Sequence, residues 1–398
     1  MSTPSVRPRI LCISLSPLRR DSRVLRQIGV LVGVGEVTTV GYGQAPDGVS
    51  EHIQVPDELP SLPQTVPGVL ALALRRFRSV ELGAPGVAYA RNALAGKTFD
   101  LVVANDARVL ALAMALAGDA PVWADMHEWA PEERTHVLSW RLLVAPFMVH
   151  LCASYLPKAA AVTTVGSEIA ALYQRDFGVL PRVMRNAAAF NDLQPSSIAS
   201  GRIRLVHSGG AVPGRNLELM FDVMTLLDQR FSLDLYLVPA ADGGQYLNRL
   251  RLRAQGDPRI MIHDPVAPDQ LARTLNEYDI GVFWIPPVHT NARLTLPNKI
   301  FDYVQARLAV AIGPTVEMAR LVQQYQLGVI SEEFSVAACA ATLSGLDQER
   351  IGKFKANADA SARELSFDRD RALAIDLVRD LLASHSKEPP GLAHDEDC

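Results

Sequence analysis

The stretch "NDLQPSSIASGRIRLVHSGG", residues 191–210, decides how this chain is divided. Its first part is rich in Ser, Asn, Asp and Gly and contains a proline, a composition typical of a linker. Its second part, "IRLVHSGG", is an apolar run that predicts a strand ending in glycines. A polar break followed by a new strand indicates that a second domain begins here.

Short apolar runs alternate with helical patterns on both sides of this break. The predicted strands are "RILCISLS", "EVTTVGYG", "FDLVVAND", "PVWADM" and "AAVTTVG" before it, and "IRLVHSGG", "LDLYLVPA", "DIGVFWI" and "LAVAIGP" after it. Strands separated by helices predict βαβ units, with a parallel sheet covered by helices on both faces. We therefore predict an α/β fold of two tandem Rossmann-like domains that face each other across a ligand-binding cleft.

The pattern also predicts the domain boundaries. We expect an N-terminal domain over residues 1–190, a linker over 191–202 and a C-terminal domain over 203–365. The periodic segment "DRDRALAIDLVRDLLA" predicts a helix within 366–384. The polar tail, residues 385–398, contains prolines and is expected to be disordered.

The composition of the 398-residue chain is ordinary for a soluble globular protein, with 48% hydrophobic and 21% charged residues and a net charge of −4. No basic excess indicates a nucleic-acid partner. The four cysteines are far apart, which suits neither a zinc site nor a dense disulfide framework. The N-terminus lacks the apolar core of a signal peptide, so we expect a cytoplasmic protein.

Two apolar stretches raise the question of a membrane contact. Residues 142–157, "LLVAPFMVHLCASYLP", are fewer than the roughly 20 that a spanning helix needs, and we interpret them as a buried helix. Residues 70–83 place Arg75, Arg76 and Arg78 beside leucines. A plain surface helix is the simpler interpretation, and a helix peripheral to the inner face of a membrane is the alternative.

The segment "VHSGGAVPGRNLELM", residues 206–220, has the features of an anion site. Gly209 and Gly210 are followed by Arg215 near the start of a predicted helix. Backbone amides at a helix N-terminus attract anions, and an arginine beside them pairs with phosphate oxygens. The Walker ending Gly-Lys-Ser/Thr and the dinucleotide pattern GxGxxG are both absent. A tight turn with a surface arginine is the alternative.

The segment "LPNKIFDY", residues 296–303, places Lys299 and Asp302 three residues apart at the start of a predicted helix. This spacing puts them on one face, where the cation suits a phosphate and the carboxylate suits the two hydroxyls of a ribose. Helix capping is the alternative, with Asn298 as the N-cap, Lys299 solvated and Asp302 favouring the helix dipole.

The segment "WADMHEWAPEE", residues 123–133, predicts a strand that ends at Asp125, with His127 and Glu128 in the following loop. The carboxyl end of a strand is where a site in the first domain is expected, so we interpret His127 as a polar contact to substrate. A structural histidine and a metal ligand are the alternatives. Neither an HExxH motif nor a second clustered histidine supports a metal, and we predict none.

Five segments, taken in order, resemble the GT-B glycosyltransferases of the large retaining group that includes sucrose and mannosyl transferases (glycosyltransferase family four, or glycosyl transferases group 1). They are "DSRVLRQIGVLVGVGEVTTVGYG", "PVWADMHEW", "VTTVGSEIAALYQRDFG", "VHSGGAVPGRNLELM" and "LPNKIFDYVQARLAVAIGP". The resemblance implies transfer of a sugar from a nucleoside-diphosphate sugar to an acceptor hydroxyl, with retention and without a metal or cofactor. It assigns the acceptor to the first domain and the donor to the second, and it packs the C-terminal helix back on the first domain.

The resemblance also assigns roles to single residues. Arg215 would hold the donor diphosphate with Lys299 as a second cation, and Asp302 stands where the family usually has a ribose-binding glutamate. His127 would lie near the transferred sugar. Gly209, Gly210 and Asn298 complete the expected donor site.

Two departures from the family pattern keep other functions open. Leu294 occupies the position of the first of two glutamates eight residues apart, and Arg215 is the only cation of the phosphate loop. The alternatives are a catalytically degenerate binding or partner subunit, a nucleotide-sugar epimerase and, less favoured, a dehydrogenase. The residues do not specify the nucleotide, the sugar, the oligomeric state or the acceptor, which is a glycan, a lipid-linked molecule or a small molecule of glycoconjugate or natural-product biosynthesis.

Overall fold

The computed structural model describes residues 7–135, 137–294 and 296–385. These residues form two compact units, the first made of residues 7–184 and 371–385 and the second of residues 185–370. Apart from His385, the tail expected to be disordered lies outside the described residues.

The first unit is built on parallel strands covered by helices. Its described strands are β1 (Arg9–Pro17), β2 (Glu36–Tyr42), β3 (Glu51–Val55), β4 (Leu101–Asn105), β5 (Val122–Met126), β6 (Ala161–Thr164) and β7 (Arg182–Val183). Its helices are α1 (Ser22–Val34), α2 (Val66–Ala73), α3 (Pro85–Ala93), α4 (Leu110–Ala117), α5 (Ala145–Tyr155) and α6 (Ser167–Phe177). The strand order is β3-β2-β1-β4-β5-β6-β7. The interior of β1 is buried without alternation, as expected for a parallel strand covered on both faces.

The second unit repeats this architecture. Its described strands are β8 (Ile203–Ala211), β9 (Phe231–Pro239), β10 (Ile260–His263), β11 (Ile280–Phe283), β12 (Ala309–Ile312) and β13 (Gly328–Ile330), in the order β10-β9-β8-β11-β12-β13. Its helices are α7 (Glu218–Leu226), α8 (Gln245–Ala254), α9 (Leu271–Asn276), α10 (Thr290–Leu294), α11 (Asn298–Gln305), α12 (Val316–Tyr325), α13 (Val336–Ser344) and α14 (Gln348–Ser361). The last helix, α15 (Phe367–His385), contains the boundary between the units at residues 370 and 371.

All the strands predicted from the sequence are present, and four others, β3, β7, β10 and β13, were not predicted. Each of the four lies at an edge of its sheet. An edge strand has one neighbour and is short and half-exposed, so it lacks the continuous apolar run that marks a central strand. The sequence "EHIQV" of β3 illustrates this, because only its last residue is buried.

The core of the second unit lies on both faces of its sheet. Neighbouring residues along a strand belong to different apolar clusters, as Leu205 and Val206 of β8 do. Val282 and Phe283 of β11 divide in the same way. Side chains alternate between the faces of a strand, so each face is packed by its own set of helices.

Hydrogen bonds explain where the boundary between the units lies. The Arg185 amide donates to Asp370 Oδ1 at 3.2 Å, and the Asn191 amide donates to Gln305 Oε1 at 3.0 Å. Arg307 Nη2 donates to the Asn191 carbonyl at 2.8 Å. These bonds tie the start of the predicted linker to the second unit. Residues 191–202 contain neither helix nor strand.

The apolar stretch of residues 142–157 begins within a π-helical turn, Trp140–Val144. Most of its remaining residues form α5. Phe147, Met148 and Leu151 of α5 are buried, whereas Leu142 and Val149 are exposed. The prediction of a buried helix therefore holds for one face only. Within the described ranges, no helix combines the length and the apolar character needed to cross a membrane.

We predict that Gly281→Ala destabilises the second unit. A Cβ added at Gly281 in β11 would lie 2.4 Å from Cγ of the buried Tyr303 ring. Forcing the ring away should cost about 1–3 kcal/mol of unfolding free energy, measured by urea denaturation. The matched control is Gly352→Ala in α14, where nothing lies within 4 Å of the added Cβ. There, helix propensity favours alanine by about 0.5–1 kcal/mol. Equal losses in both variants would contradict the packing argument.

Candidate functional site

The candidate site of the first unit lies at the carboxyl ends of β4 and β5, next to the point where the strand order reverses. β1 stands between β2 and β4, so successive crossovers leave in opposite directions from this point. Ligands in open parallel sheets bind beside the carboxyl ends of such strands. Asn105 ends β4, Asp125 lies near the end of β5, and His127 follows β5 in the next loop. The structure therefore places His127 where the sequence predicted it.

A buried ion pair supports this region. Arg23 of α1 donates from Nε and Nη2 to the two carboxylate oxygens of Asp125, at 2.9 and 2.6 Å. Arg23 Nη1 also donates to the Met184 carbonyl at 2.8 Å, and Thr163 Oγ1 donates to Asp125 Oδ1 at 2.6 Å. Burial raises the pKa of Asp125, but Arg23 and His127 outweigh it and hold this pKa well below its usual range. Asp125 is therefore a carboxylate inside the protein.

The His127 ring lies among acceptors on both of its nitrogens. Nε2 is 3.0 Å from Asn105 Oδ1 and 3.4 Å from Asp125 Oδ2, and Nδ1 is 3.5 Å from Asp106 Oδ2. Asn105 Nδ2 donates to Gln27 Oε1, which directs Oδ1 of Asn105 towards the histidine. Burial lowers the pKa of His127, but the Asp106 and Asp125 carboxylates raise it to about 9. His127 is therefore an imidazolium at neutral pH and carries an N–H on each nitrogen, so it is not a general base there.

A pocket of about 140 Å³ opens beside His127. It is lined by Asp106, Ala107, Arg108, His127, Glu128, Ala130, Glu133 and Met148. Burial, together with the charges of Glu133 and Asp106, raises the pKa of Glu128 to about 7. A carboxyl group with that pKa both donates and accepts protons at neutral pH. The pocket is thus polar and equipped for hydroxyl groups and proton transfer.

Asp106 is held in a strained backbone conformation, with φ 72° and ψ 163°. Side-chain-bearing residues rarely adopt this region, at a cost of about 1–3 kcal/mol. Its Oδ1 accepts from the His127 amide at 3.2 Å, so the strain positions a carboxylate against the His127 loop. Asp106 was not singled out from the sequence. Its place directly after the strand "FDLVVAN" is the signal that points to it.

In the second unit, β8 lies at the reversal of strand order and continues through the glycines. Gly209, Gly210 and Ala211 pair in parallel register with Leu237, Val238 and Pro239 of β9. The glycines therefore belong to the strand rather than to a loop after it, and Arg215 lies in the loop between β8 and α7. The Leu217 amide, at the start of α7, donates to the Tyr246 hydroxyl at 3.1 Å, so this amide is occupied by the protein itself.

The two glycines leave space that cationic side chains border. A Cβ added at Gly209 would lie 3.5 Å from Lys299 Cε, and one added at Gly210 would lie 3.7 Å from Arg215 Nη1. Two cations from distant segments thus lie beside consecutive residues of one strand. An anion with several oxygens, such as a diphosphate, fits cations arranged beside an open backbone.

Lys299 and Asp302 share one face of α11, as predicted, and form an ion pair with Nζ 3.0 Å from Oδ2. Asn298 is the first, partly buried residue of the helix, whereas the N-cap is Pro297 and provides no side-chain cap bond. The capping alternative is therefore not what the structure shows for Asn298. The opposite side of the helix packs into the core through Ile300, Phe301, Tyr303 and Val304.

His207 belongs to this site and was not singled out from the sequence. Its Nδ1 lies 3.0 Å from the Val282 carbonyl, and its Nε2 would lie 3.4 Å from a Cβ added at Gly209. Burial, reinforced by Lys299 and Arg215, lowers the pKa of His207 to about 4. The ring is neutral, and because a carbonyl only accepts, the proton is on Nδ1 and the lone pair is on Nε2 beside the glycines. A polar residue inside an apolar strand that leads into two glycines was the available signal.

Two further features bear on the expected donor site. Leu294 is half-buried at the end of α10, so an aliphatic group stands where the resemblance predicts a glutamate. Ser208 Oγ is buried without a hydrogen-bond partner in the part of the chain that the structure describes.

Within the residues that the structure describes, His, Cys, Asp and Glu side chains form no group of three or more suited to a metal ion. Metal independence stays a prediction.

Comparison with known proteins identifies the fold. Neither the models of protein families nor the curated proteins give a sequence match. Among solved structures, Anabaena HepE in complex with UDP and glucose matches 95% of this chain and 100% of its own, with 15% identity and a TM-score of 0.67. Sucrose-phosphate synthase from Thermosynechococcus elongatus matches 95% and 100%, with 14% identity and a TM-score of 0.70. The α,α-trehalose 6-phosphate synthase from Burkholderia multivorans matches 95% and 99%, with 12% identity and a TM-score of 0.64. The predicted α/β fold is thus confirmed, and the resemblance to GT-B glycosyltransferases is confirmed at the level of the fold.

We predict that Asp106→Asn lowers the pKa of both His127 and Glu128. The substitution removes a negative charge that stabilises the imidazolium of His127 and opposes ionisation of Glu128. NMR titration of the His127 ring should show its pKa falling from about 9 towards the ordinary 6.5. Asp119→Asn, at an exposed position in the same unit, is the control and should leave both values unchanged. An unshifted His127 in Asp106→Asn would contradict the electrostatic assignment.

We also predict a pH-dependent contribution of His127 to stability. Its pKa is raised on folding, so its contribution is fully present below about pH 6.5 and is lost as the pH rises through about 9. The expected size is about 1–3 kcal/mol. The measurement is the difference in unfolding free energy between wild type and His127→Gln, which should shrink between about pH 6 and pH 10. A difference independent of pH would show that packing, rather than charge, makes the contribution.

Proposed function

We propose that this chain is a glycosyltransferase that transfers a sugar from a nucleoside-diphosphate sugar to an acceptor hydroxyl. The observation that carries the proposal is that Lys299 approaches Gly209 and Arg215 approaches Gly210, near the strand end where open sheets bind ligands, and that both cations act on the nearby His207. The GT-B fold adds support, because the matching Anabaena HepE structures hold UDP and UDP-glucose.

The proposed reaction uses the second unit to stabilise the leaving group. Breaking the bond between sugar and diphosphate builds negative charge on the phosphate oxygens, and the sugar becomes oxocarbenium-like. Arg215 and Lys299 would stabilise that charge from fixed positions, which is electrostatic catalysis. Asp302 would accept hydrogen bonds from the ribose hydroxyls, with Asn298 beside it. The neutral His207 would accept a further hydrogen bond at Nε2.

The first unit would bind the acceptor in the pocket beside His127. As an imidazolium, His127 would donate to an oxygen of the transferred sugar rather than remove a proton. Glu128, with a pKa of about 7, is the better group to receive the acceptor proton. Retention of configuration by same-face displacement, hexosyl transfer and metal independence follow from the family resemblance and are part of the proposal, as is a cytoplasmic location.

A catalytically degenerate binding or partner subunit is the second candidate, and Leu294 is the observation that favours it. Its aliphatic side chain cannot accept a hydrogen bond from a donor sugar as a glutamate would. The deciding experiment measures release of the nucleoside diphosphate from UDP-, GDP- and dTDP-sugars, with and without acceptor mixtures. Turnover supports the transferase. Binding of nucleotide without turnover of any donor supports the degenerate subunit.

We predict that Lys299 and Asp302 contribute to nucleotide binding. Loss of one charge-assisted contact should weaken the affinity by about 1.5–3 kcal/mol, roughly ten- to a hundredfold. Calorimetric titration of UDP and GDP should show this loss for Lys299→Ala and Asp302→Asn. Asp302→Glu should bind best of the variants, because it restores the carboxylate that the family usually has.

The control for this titration is Lys353→Ala, an exposed lysine of α14 in the same unit. It should bind like wild type. The prediction fails if all the proteins bind with equal affinity, or if wild type binds neither nucleotide.

We predict that His127→Ala lowers turnover strongly while the affinity for free UDP or GDP stays near that of wild type. The reason is that His127 lies in the first unit and would contact the transferred sugar rather than the nucleotide. The measurement is kcat together with the calorimetric Kd. A loss of several kcal/mol in stability with normal turnover in the folded fraction would instead identify a structural histidine.

A further inference from the structure

The helix α2 carries an apolar stripe that faces solvent. Val66, Val69, Leu70, Ala73 and Leu74 recur at the spacing of one helix face, and all are exposed, Val66 by 85% and Leu70 by 59%. In an ordinary surface helix, such a stripe faces the core. Here the opposite side, with Gly68 and Leu72, is the buried one. An exposed apolar face of this kind marks an interaction surface.

A second segment extends this face. The π-helical turn Trp140–Val144 packs against α2, and Arg75 Nη1 donates to the Leu142 carbonyl at 3.1 Å. Leu142 is 54% exposed, and Leu138, just before the turn, is 59% exposed. We define the apolar patch as Val66, Val69, Leu70, Leu74, Leu138 and Leu142.

The two segments that form the patch carry charge of one sign. Residues 64–80 and 137–149 contain four arginines and no Asp or Glu, within a chain whose net charge is −4. All four are exposed: Arg75, Arg76, Arg78 and Arg141. Glu81, the first acid after residues 64–80, bonds to His150 and Tyr155 and is largely buried. The patch is therefore apolar at its centre and cationic beside it.

We propose that this patch docks the protein on an anionic lipid membrane. The aliphatic side chains would enter the boundary between headgroups and acyl chains, and the arginines would pair with lipid phosphates. A second copy of this chain is the less suitable partner, because a two-fold interface brings the same surface together from both sides. Four arginines would then face four arginines. An anionic membrane, in contrast, binds both the apolar residues and the arginines of this surface.

The proposal goes beyond sugar transfer and does not depend on it. None of the patch residues lines the pocket beside His127 or belongs to the donor site of the second unit. Substitutions in the patch therefore test docking separately. Arg75 is left unchanged in the test, because it bonds to Leu142 and turns the chain just after α2 with a φ of 57°.

The experiment is flotation of the full chain with vesicles of equal parts phosphatidylcholine and phosphatidylglycerol, and with vesicles of phosphatidylcholine alone. We expect binding to the anionic vesicles, weakened by salt, and little binding to the zwitterionic ones. Arg76→Gln with Arg78→Gln should weaken partitioning about fivefold for each arginine. Leu70→Gln with Leu74→Gln should weaken it at least about tenfold.

Matched controls separate the patch from general surface effects. Leu252→Gln removes a leucine of the second unit that is at least as exposed as Leu70 and Leu74, and Arg371→Gln with Arg379→Gln removes two exposed arginines of α15. Each should bind vesicles like wild type. The proposal is overturned if anionic vesicles are not bound, if the controls lose as much as the patch variants, or if both vesicle types bind equally. It is also overturned if the leucine variants abolish self-association instead, which sedimentation velocity would show.

Discussion

In both units, a parallel sheet reverses its strand order beside its first strand, and the positions of the candidate functional residues follow from this constraint. β1 lies between β2 and β4, and β8 lies between β9 and β11. Crossovers that depart in opposite directions leave the carboxyl ends of these strands uncovered. Asn105, whose Oδ1 lies 3.0 Å from His127 Nε2, ends β4 beside this point in the first unit, and Gly209 and Gly210, next to His207, lie near the end of β8 in the second.

The surroundings give these two histidines opposite charge states. His127 lies between carboxylates that outweigh its burial, so it stays protonated well above neutral pH. His207 is buried beside a carbonyl with two cations nearby, so it stays neutral. The protein thus has a fixed positive group in one unit, and in the other a neutral acceptor beside two cations. A site that binds an anion is served by the second arrangement, because a neutral acceptor does not compete with the phosphate for the cations.

Local features were predictable from the sequence, and long-range ones were not. The shared face of Lys299 and Asp302 follows from helical spacing alone, and the central strands follow from their apolar runs. The pairing of Arg23 with Asp125 joins residues 102 positions apart, and nothing in either segment indicates the other. The edge strands lacked an apolar run, and Asp106 was missed because its strained backbone is a property of the packed structure. The role of Arg215 was inferred from the glycines beside it, yet its approach to Gly210 required coordinates.

The ion pair between Lys299 and Asp302 lowers the entropic cost of binding a nucleotide under the proposed function. The side chains are 23% and 14% exposed, so the pair is partly desolvated and more ordered than a surface pair. Its geometry holds Lys299 beside Gly209 before any ligand arrives. The side chain of Lys299 therefore loses its conformational freedom when the protein folds. Because little more is lost when a ligand binds, the affinity is higher. The pair uses Oδ2 of Asp302, and a carboxylate has about four lone-pair sites, so acceptor capacity remains for hydroxyl groups. Under the proposed function, Lys299 therefore gains a phosphate partner without Asp302 having to give up its own role.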